Sequence, residues 1–478
     1  MPTRRPINRA MTLRVLLLVA VLLLAAAPAA RAADLWVDVG NATCSDARTA
    51  AQVTTSATPW CTLTPAAAQA RAGDAVHILA GTYAGTLRPL SSGTPSAPIR
   101  FVAAEPGVVL DAAGAANAVK LIGVANIALD GMTIRGGAAQ GVWIENAPNA
   151  ALTNVDVTTN PGAGIEAKAT GGLVVDHSTI DGNGSAGILE LAGTTGARYT
   201  NDDISRNGIG GGVYDGDGIQ LGGAGALVQG DTIDGNGDPG PYEHGIYTGA
   251  ASSGWTIQLN ELHDNGGANV KAAGGPGVVR RNLLVDGRYG IVLSDNPAPV
   301  TVEHNLIEGQ AQHLVFLTSG TTAARARLWA NTVVQTGRST ASGDASAVFV
   351  NAAASLDVRD NLLCYTNPDS LGVALWVNAA ARLAGFASDT NWVCGTDARA
   401  RPFAWNGTRT TLAGWQAASG QDGRSLASPP PSFDAALRVI SANLGASRGD
   451  DLGLLEDYAG APLPTSGPLD VGAYQRSP

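Results

Sequence analysis

After residue 27 no apolar run reaches the length of a membrane helix, so nothing beyond the N-terminus is read as crossing a bilayer. Aromatic residues make up only 5% of the 478 residues, and heptads are absent. A helical architecture fits this poorly. The four cysteines include no C-x-x-C pair, which leaves no zinc ribbon. Basic side chains are outnumbered 30 to 40, and five of the 30 lie ahead of residue 33. Such a balance argues against nucleic acid as a partner. What is plentiful is glycine, 61 residues, as in turn-rich β architecture.

The N-terminus reads as a secretory leader over residues 1–32. Arg4, Arg5, Arg9 and Arg14 form a basic lead, Val15 to Ala27 is apolar but short, and Ala30-Arg31-Ala32 offers small residues for cleavage. The expected mature protein is secreted, extracellular and monomeric, in a compartment that permits disulfides. Its cysteines fall into two local pairs, Cys44 with Cys61 and Cys364 with Cys394, although three connectivities are open.

A short motif recurs along the middle of the chain, Gly-apolar-x-apolar. It reads Gly141-Val142-Trp143-Ile144, Gly164-Ile165-Glu166-Ala167, Gly218-Ile219-Gln220-Leu221, Gly245-Ile246-Tyr247-Thr248 and Gly290-Ile291-Val292-Leu293, with Asn269-Val270-Lys271-Ala272 keeping the register. The step of about 21 to 31 residues is one solenoid coil. A second column keeps the same period: Asp202, Asp231, Asn260, Asn282, Asn305, Asn331 and Asn361, each before an apolar pair such as Leu283-Leu284. Stacked asparagines at one turn can bond each other and the turn backbone. The expected fold is all-β, a right-handed parallel β-helix solenoid with an N-terminal capping helix and a C-terminal irregular segment. The cap occupies 33–74 with a helix near Thr64 to Ala72, the β-helix 75–378, and the closing segment 379–478.

Gly73-Asp74-Ala75-Val76, Ala80-Gly81-Thr82-Tyr83 and Ser92-Gly93-Thr94 before Pro98-Ile99 resemble the opening region of secreted pectin-lyase-like β-helix proteins, including polysaccharide lyases of the chondroitinase B and alginate lyase type. Trp415 to Asp422, Asp457-Tyr458-Ala459-Gly460 and Asp470-Val471-Gly472-Ala473-Tyr474 resemble the closing segment of that superfamily. The resemblance implies the fold and leaves the reaction open, because these folds carry lyases, hydrolases, epimerases and non-catalytic proteins. Asp215-Gly216-Asp217-Gly218-Ile219, His244-Gly245-Ile246 and Asn269-Val270-Lys271 resemble in part the ordered motifs of polygalacturonase-type hydrolases. Here the paired aspartates are split by Gly216, a preceding aspartate falls at Ala186, and Asn269 stands where that family has arginine. Asp217-Gly218-Ile219-Gln220-Leu221-Gly222-Gly223 resembles the strand bearing the catalytic lysine of one pectate lyase family, with Gln220 at the lysine position.

In each repeat unit x points outward. Down consecutive coils this places Asp217 and Gln220, then His244 and Tyr247 with Glu243, then Lys271, then Arg288 and Tyr289, on one strip, since coils stack about 4.8 Å apart. Trp143, Glu166 and Leu189 precede them, and Val292, Val315 and Phe349 follow. An acid, an imidazole, a phenol, an ammonium and a guanidinium together suit a uronic-acid polymer. In β-elimination, Lys271, its pKa depressed by nearby cations, is the expected base. His244 or Tyr247 serves as base or proton donor, and Arg288, or calcium held by Asp215 and Asp217, neutralises the substrate carboxylate. Gln220, Asp217, Tyr289 and Glu243 are expected to hold the acidic polysaccharide. Glycoside hydrolysis by Asp217 with Asp215 or Glu243, C5 epimerisation, and a non-catalytic glycan-binding surface are the competing readings. Glu166 and Arg281 are expected as solvated charges, and His263 and His304 at turns.

Overall fold

The computed structural model describes residues 32–210, 216–309, 312–318, 324–337, 345–368, 372–378, 385–396, 401–441, 444–464 and 467–475. Residues 1–31, nearly all of the expected leader, lie outside them. One coil shows the plan: Ala151–Thr153 in a first sheet, Asp156–Thr158 in a second and Ile165–Lys168 in a third. Each strand pairs in parallel with its equivalent one coil away, Leu152 opposite Val175 and Val157 opposite Ile180. Among the described residues the sheets reach 14, 14 and 13 strands. The chain is thus an all-β, right-handed parallel β-helix, and its ladder runs past 75–378 at both ends. Asp34–Val37 already pairs with Ala75–Ile78, and Gly385–Asp389, Trp392–Gly395, Phe403–Trp405 and Leu426–Ser428 extend the three sheets downward.

Inward positions stack like on like: Ile165, Ile188, Ile219, Ile246, Val270 and Ile291 in the third sheet are wholly buried. Each such side chain contributes about 1.5–3 kcal/mol of transfer free energy. Between the first and second sheets the chain turns through a residue at positive φ, whatever its type: His177 at 52°, Leu259 at 60°, Arg281 at 54°, Ala330 at 53°. That conformation costs roughly 1–2 kcal/mol in a non-glycine residue. The next residue offsets it. Asn260, Asn282, Asn305, Asn331 and Asn361 donate their amides down the column at 3.0 to 3.1 Å, ending on Asn391. Each also bonds the strand behind, as Asn282 does to the Ile257 carbonyl at 3.0 Å.

A second ladder, not foreseen from the sequence, stabilises the turn before the third sheet. Asn160, Asn183, Asn207, Asn236 and Asn265 link amide to carbonyl at 2.9 to 3.1 Å, ending on Asn269. Its signal was Asn-Gly, at 183, 207, 236 and 265.

Both ends are closed. At the top, the helix Leu63–Gln69 buries Leu63, Ala66 and Ala67 over the first coil beside the buried Trp60. At the bottom, the closing segment is more regular than expected: the helix Leu412–Ser419 is capped by the Thr411 hydroxyl and ends at Gly420 in the left-handed region. Its Trp415 is fully buried and donates to Asp422 Oδ2 at 2.7 Å. Cys44 is bonded to Cys61, and Cys364 to Cys394 on the adjacent strand. The tail beyond Ser428 lies on the outside of the second sheet, where Leu437, Val471 and Ala473 pack on Leu306, Val334, Leu362 and Trp392.

Candidate functional site

The outward column of the third sheet is fixed by strand register. Gln220 lies opposite Tyr247, Tyr247 opposite Lys271, and Lys271 opposite Val292. Above it stand Trp143, Glu166 and Leu189. Below, the column continues through Phe316, Phe349 and Trp376. Val315 therefore faces the core and Phe316 the outside, one residue from the sequence expectation. Glu166 is not solvated: it is buried and accepts from the Gln140 amide at 2.5 Å.

Two adjoining cavities open on this face. One, of about 340 Å³, is lined by Asp217, Gln220, Tyr242, His244, Tyr247 and Lys271. The other, of about 260 Å³, shares His244 and Lys271 and adds Tyr289, Asp295 and Phe316 among others. The Lys271 ammonium sits 5.6 Å from the centre of the Tyr247 ring. Sequence reasoning missed Tyr242 and Asp295. Tyr242 ends the loop Asp238-Pro239-Gly240-Pro241-Tyr242, an insertion that lengthens this coil just ahead of His244. Asp295 sits two residues past the strand Tyr289–Leu293, at φ 55°, where no period points.

Electrostatics sets the protonation of the group. Asp217 and His244, one residue before their glycines, are pulled under the wall and nearly fully buried. Burial pushes the Asp217 carboxyl up to about 8, against the His244 N–H it accepts at 2.8 Å and the charge of Lys271. At neutral pH it is a neutral acid. Burial, reinforced by Lys271, holds the His244 imidazole down to about 3. Its Nδ1 accepts from the Ala268 N–H at 2.9 Å, so the proton resides on Nε2, which is buried without a partner. His244 is therefore a neutral donor and not a base. Lys271 is depressed as expected but for another reason: burial lowers it, while Asp217 and Asp295 pull the other way. Burial likewise raises the Tyr247 phenol.

Neither Arg288 nor Glu243 lines these cavities. Arg288 is exposed, its guanidinium 5.7 Å from the Tyr289 ring centre. Glu243 is buried and accepts from the Asp238 N–H, bracing the loop that carries Tyr242. Asp215 lies outside the described residues. Among the described residues no three His, Cys, Asp or Glu side chains converge to hold a metal. Asn269, in the place of the hydrolase arginine, is spent at the foot of the second asparagine ladder.

Coil plan and asparagine ladders define the class, a right-handed parallel β-helix with a polar groove on its third sheet. A family model, right handed beta helix region, matches residues 112–220 and 213–333. No curated protein sequence matches the chain. Among solved structures it is similar to Dettilon tailspike protein gp208, at 16% identity and TM-score 0.52 over 74% of this chain and 70% of that one. It is also similar to XylC in complex with xylose, at 11% identity and TM-score 0.56 over 92% and 98%. Pectate lyase Pel9A aligns at 15% identity and TM-score 0.47 over 93% and 96%. At 16% and 11% identity the likeness to the tailspike protein and to XylC is one of fold.

Proposed function

We propose that this is an exported carbohydrate-active protein whose third-sheet groove cleaves uronic-acid-containing polysaccharide by β-elimination. The observation that carries the reading is a half-buried lysine, depressed by desolvation, sharing a cavity with two neutral proton donors, Asp217 and His244. In this reading neutral Lys271 takes the proton beside the uronate carboxylate. Electron density moves onto that carboxylate, where the Asp217 O–H and the His244 Nε2–H stabilise it, a role preorganised donors perform well in a dry site. The bond to the glycosidic oxygen breaks, and the Tyr247 hydroxyl protonates the leaving oxygen; solvent then restores both groups. Gln220 and Tyr289 hold neighbouring sugars.

The buried acid also favours a second reading. Asp217, protonated at neutral pH, has the state of a glycosidase general acid, and Asp295 supplies a carboxylate in the adjoining cavity. A single panel separates the two. Pectate, alginate and glycosaminoglycans are incubated with the protein, with and without calcium. Ultraviolet-absorbing unsaturated ends support elimination, and reducing ends without that absorbance support hydrolysis. Lys271→Ala is expected to lower the elimination rate by about 10²-fold or more. Full activity in that variant removes Lys271 as the base.

A further inference from the structure

A cleft with a chemically mixed lining lies away from the third sheet, between the first sheet and the C-terminal tail, with a volume of about 600 Å³. Its floor is a three-coil outward column, Arg280 opposite Glu303 and Glu303 opposite Trp329. Arg281 and His304 stand at the left-handed turn just after, on successive coils. The other wall is the tail from Leu452 to Glu456. It is held there by Arg281, which donates Nη1 to Glu456 at 2.5 Å and Nε to the Tyr458 carbonyl at 3.1 Å. Arg281 is thus a clamp rather than a solvated charge, and His304, though at a turn as expected, is buried.

Two features are left over once packing is satisfied. His304 is 3% exposed and lines the cleft, yet its Nε2 has no partner. A buried polar atom of this kind costs roughly 1–3 kcal/mol unless something bonds it. Trp329 lines the same space with its ring fixed, the indole N–H on Asp357 Oδ2 at 3.2 Å and the Arg327 guanidinium 5.3 Å from the ring. Charge is balanced across the cleft: Arg281 is paired with Glu456, and Arg280 neighbours Glu303. Burial holds His304 down to about 4, so it adds no charge at neutral pH. A small-ligand volume, a flat indole and planar hydrogen-bonding groups without net charge suit a polyhydroxylated, uncharged molecule.

We propose that this cleft is a second carbohydrate site, taking a neutral sugar unit with Trp329 against its C–H face. Arg280 and Glu303 bond adjacent hydroxyls, and His304 Nε2 partners another. The proposal stands apart from the elimination reading, because the two sites lie on different sheets. The test is titration calorimetry of the full chain with cellotetraose, xylotetraose and maltotetraose. Binding of at least one is expected, unchanged in Lys271→Ala and weakened about tenfold or more in Glu303→Gln and Trp329→Ala. Glu303→Gln preserves side-chain size and decides the matter if Trp329→Ala does not fold. No binding of any of the three sugars, binding indifferent to the cleft variants, or binding abolished by Lys271→Ala would overturn it.

Discussion

Asp217, His244 and Lys271 show how position within a coil decides a residue's chemistry. Lys271 stands on the outward column and keeps partial contact with water; the other two sit one residue before a glycine and are drawn beneath the wall. The proposed reaction needs Lys271 neutral and Asp217 protonated. Activity should therefore fall as pH rises through about 8, where Asp217 ionises. His244, neutral above about 3, adds no limb near 6.5. Asp217→Asn keeps a hydrogen-bond donor but cannot ionise. Its kcat/KM should lose the alkaline fall, and the rise governed by Lys271 should begin at lower pH, because the carboxylate that favoured the ammonium is gone. A variant profile that still falls near pH 8 would remove Asp217 from the mechanism. From the sequence, the membership of this cluster was legible because the repeat fixes the register. Burial was not, since it depends on how sharply each turn folds under the next coil. For that reason Arg288 and Glu243 were expected in the groove, although neither lines the two cavities and Glu243 is buried.

At the scale of the coil, the first asparagine ladder was legible because its residues share an offset from the apolar pair. The second was overlooked because Asn-Gly reads as an ordinary turn until its spacing is compared between coils. The first ladder contains two acids where asparagine would fit better. Asp202 accepts from the Ser178 N–H and Asp231 from the Asp202 N–H, and Asp231 Oδ2 has no partner. Burial pushes Asp202 up to about 7 and Asp231 well above its ordinary value. Between the unfolded value, about 3.9, and these folded values the native chain binds more protons than the unfolded one. Stability is thus full below pH 4 on this account and is lost as pH rises through about 7. Asp231→Asn removes that loss. Its amide can donate to Asn260 Oδ1, as every neighbouring asparagine does. The variant should be more stable than the parent by on the order of 1 kcal/mol at pH 8 and show little gain at pH 4, read from denaturant melts at both values. A gain equal at both pH values would mean that ionisation is not its cause.

For the whole molecule, the question is what a stack of identical coils does with its ends and its uncovered faces. Helices with a buried tryptophan nearby close both ends. The outer face of the second sheet changes character halfway down: Asp203, Thr232 and Glu261 give way to Leu283, Leu306, Thr332, Leu362 and Trp392 in the same column, the Thr332 hydroxyl accepting from the Ala473 N–H of the tail. This change was written in the sequence, where Asp202-Asp203-Ile204 becomes Asn282-Leu283-Leu284, and it marks the footprint of the tail. Deleting residues 429–478 uncovers that face while sparing the bottom closure, because Asp422 and the two groups that donate to it, the Asn391 amide and the Trp415 indole, all precede the cut. The coils should therefore stay folded and the bared parallel face should find a second copy of itself. Size exclusion with light scattering should show a monomer for the full chain and concentration-dependent association for the truncated one, with the far-ultraviolet β signal retained. A truncated chain that stays monomeric at the same concentration would mean that the coils do not need the tail. One that loses its β signal would mean that the tail is part of the fold itself, and not a cover laid over a finished solenoid.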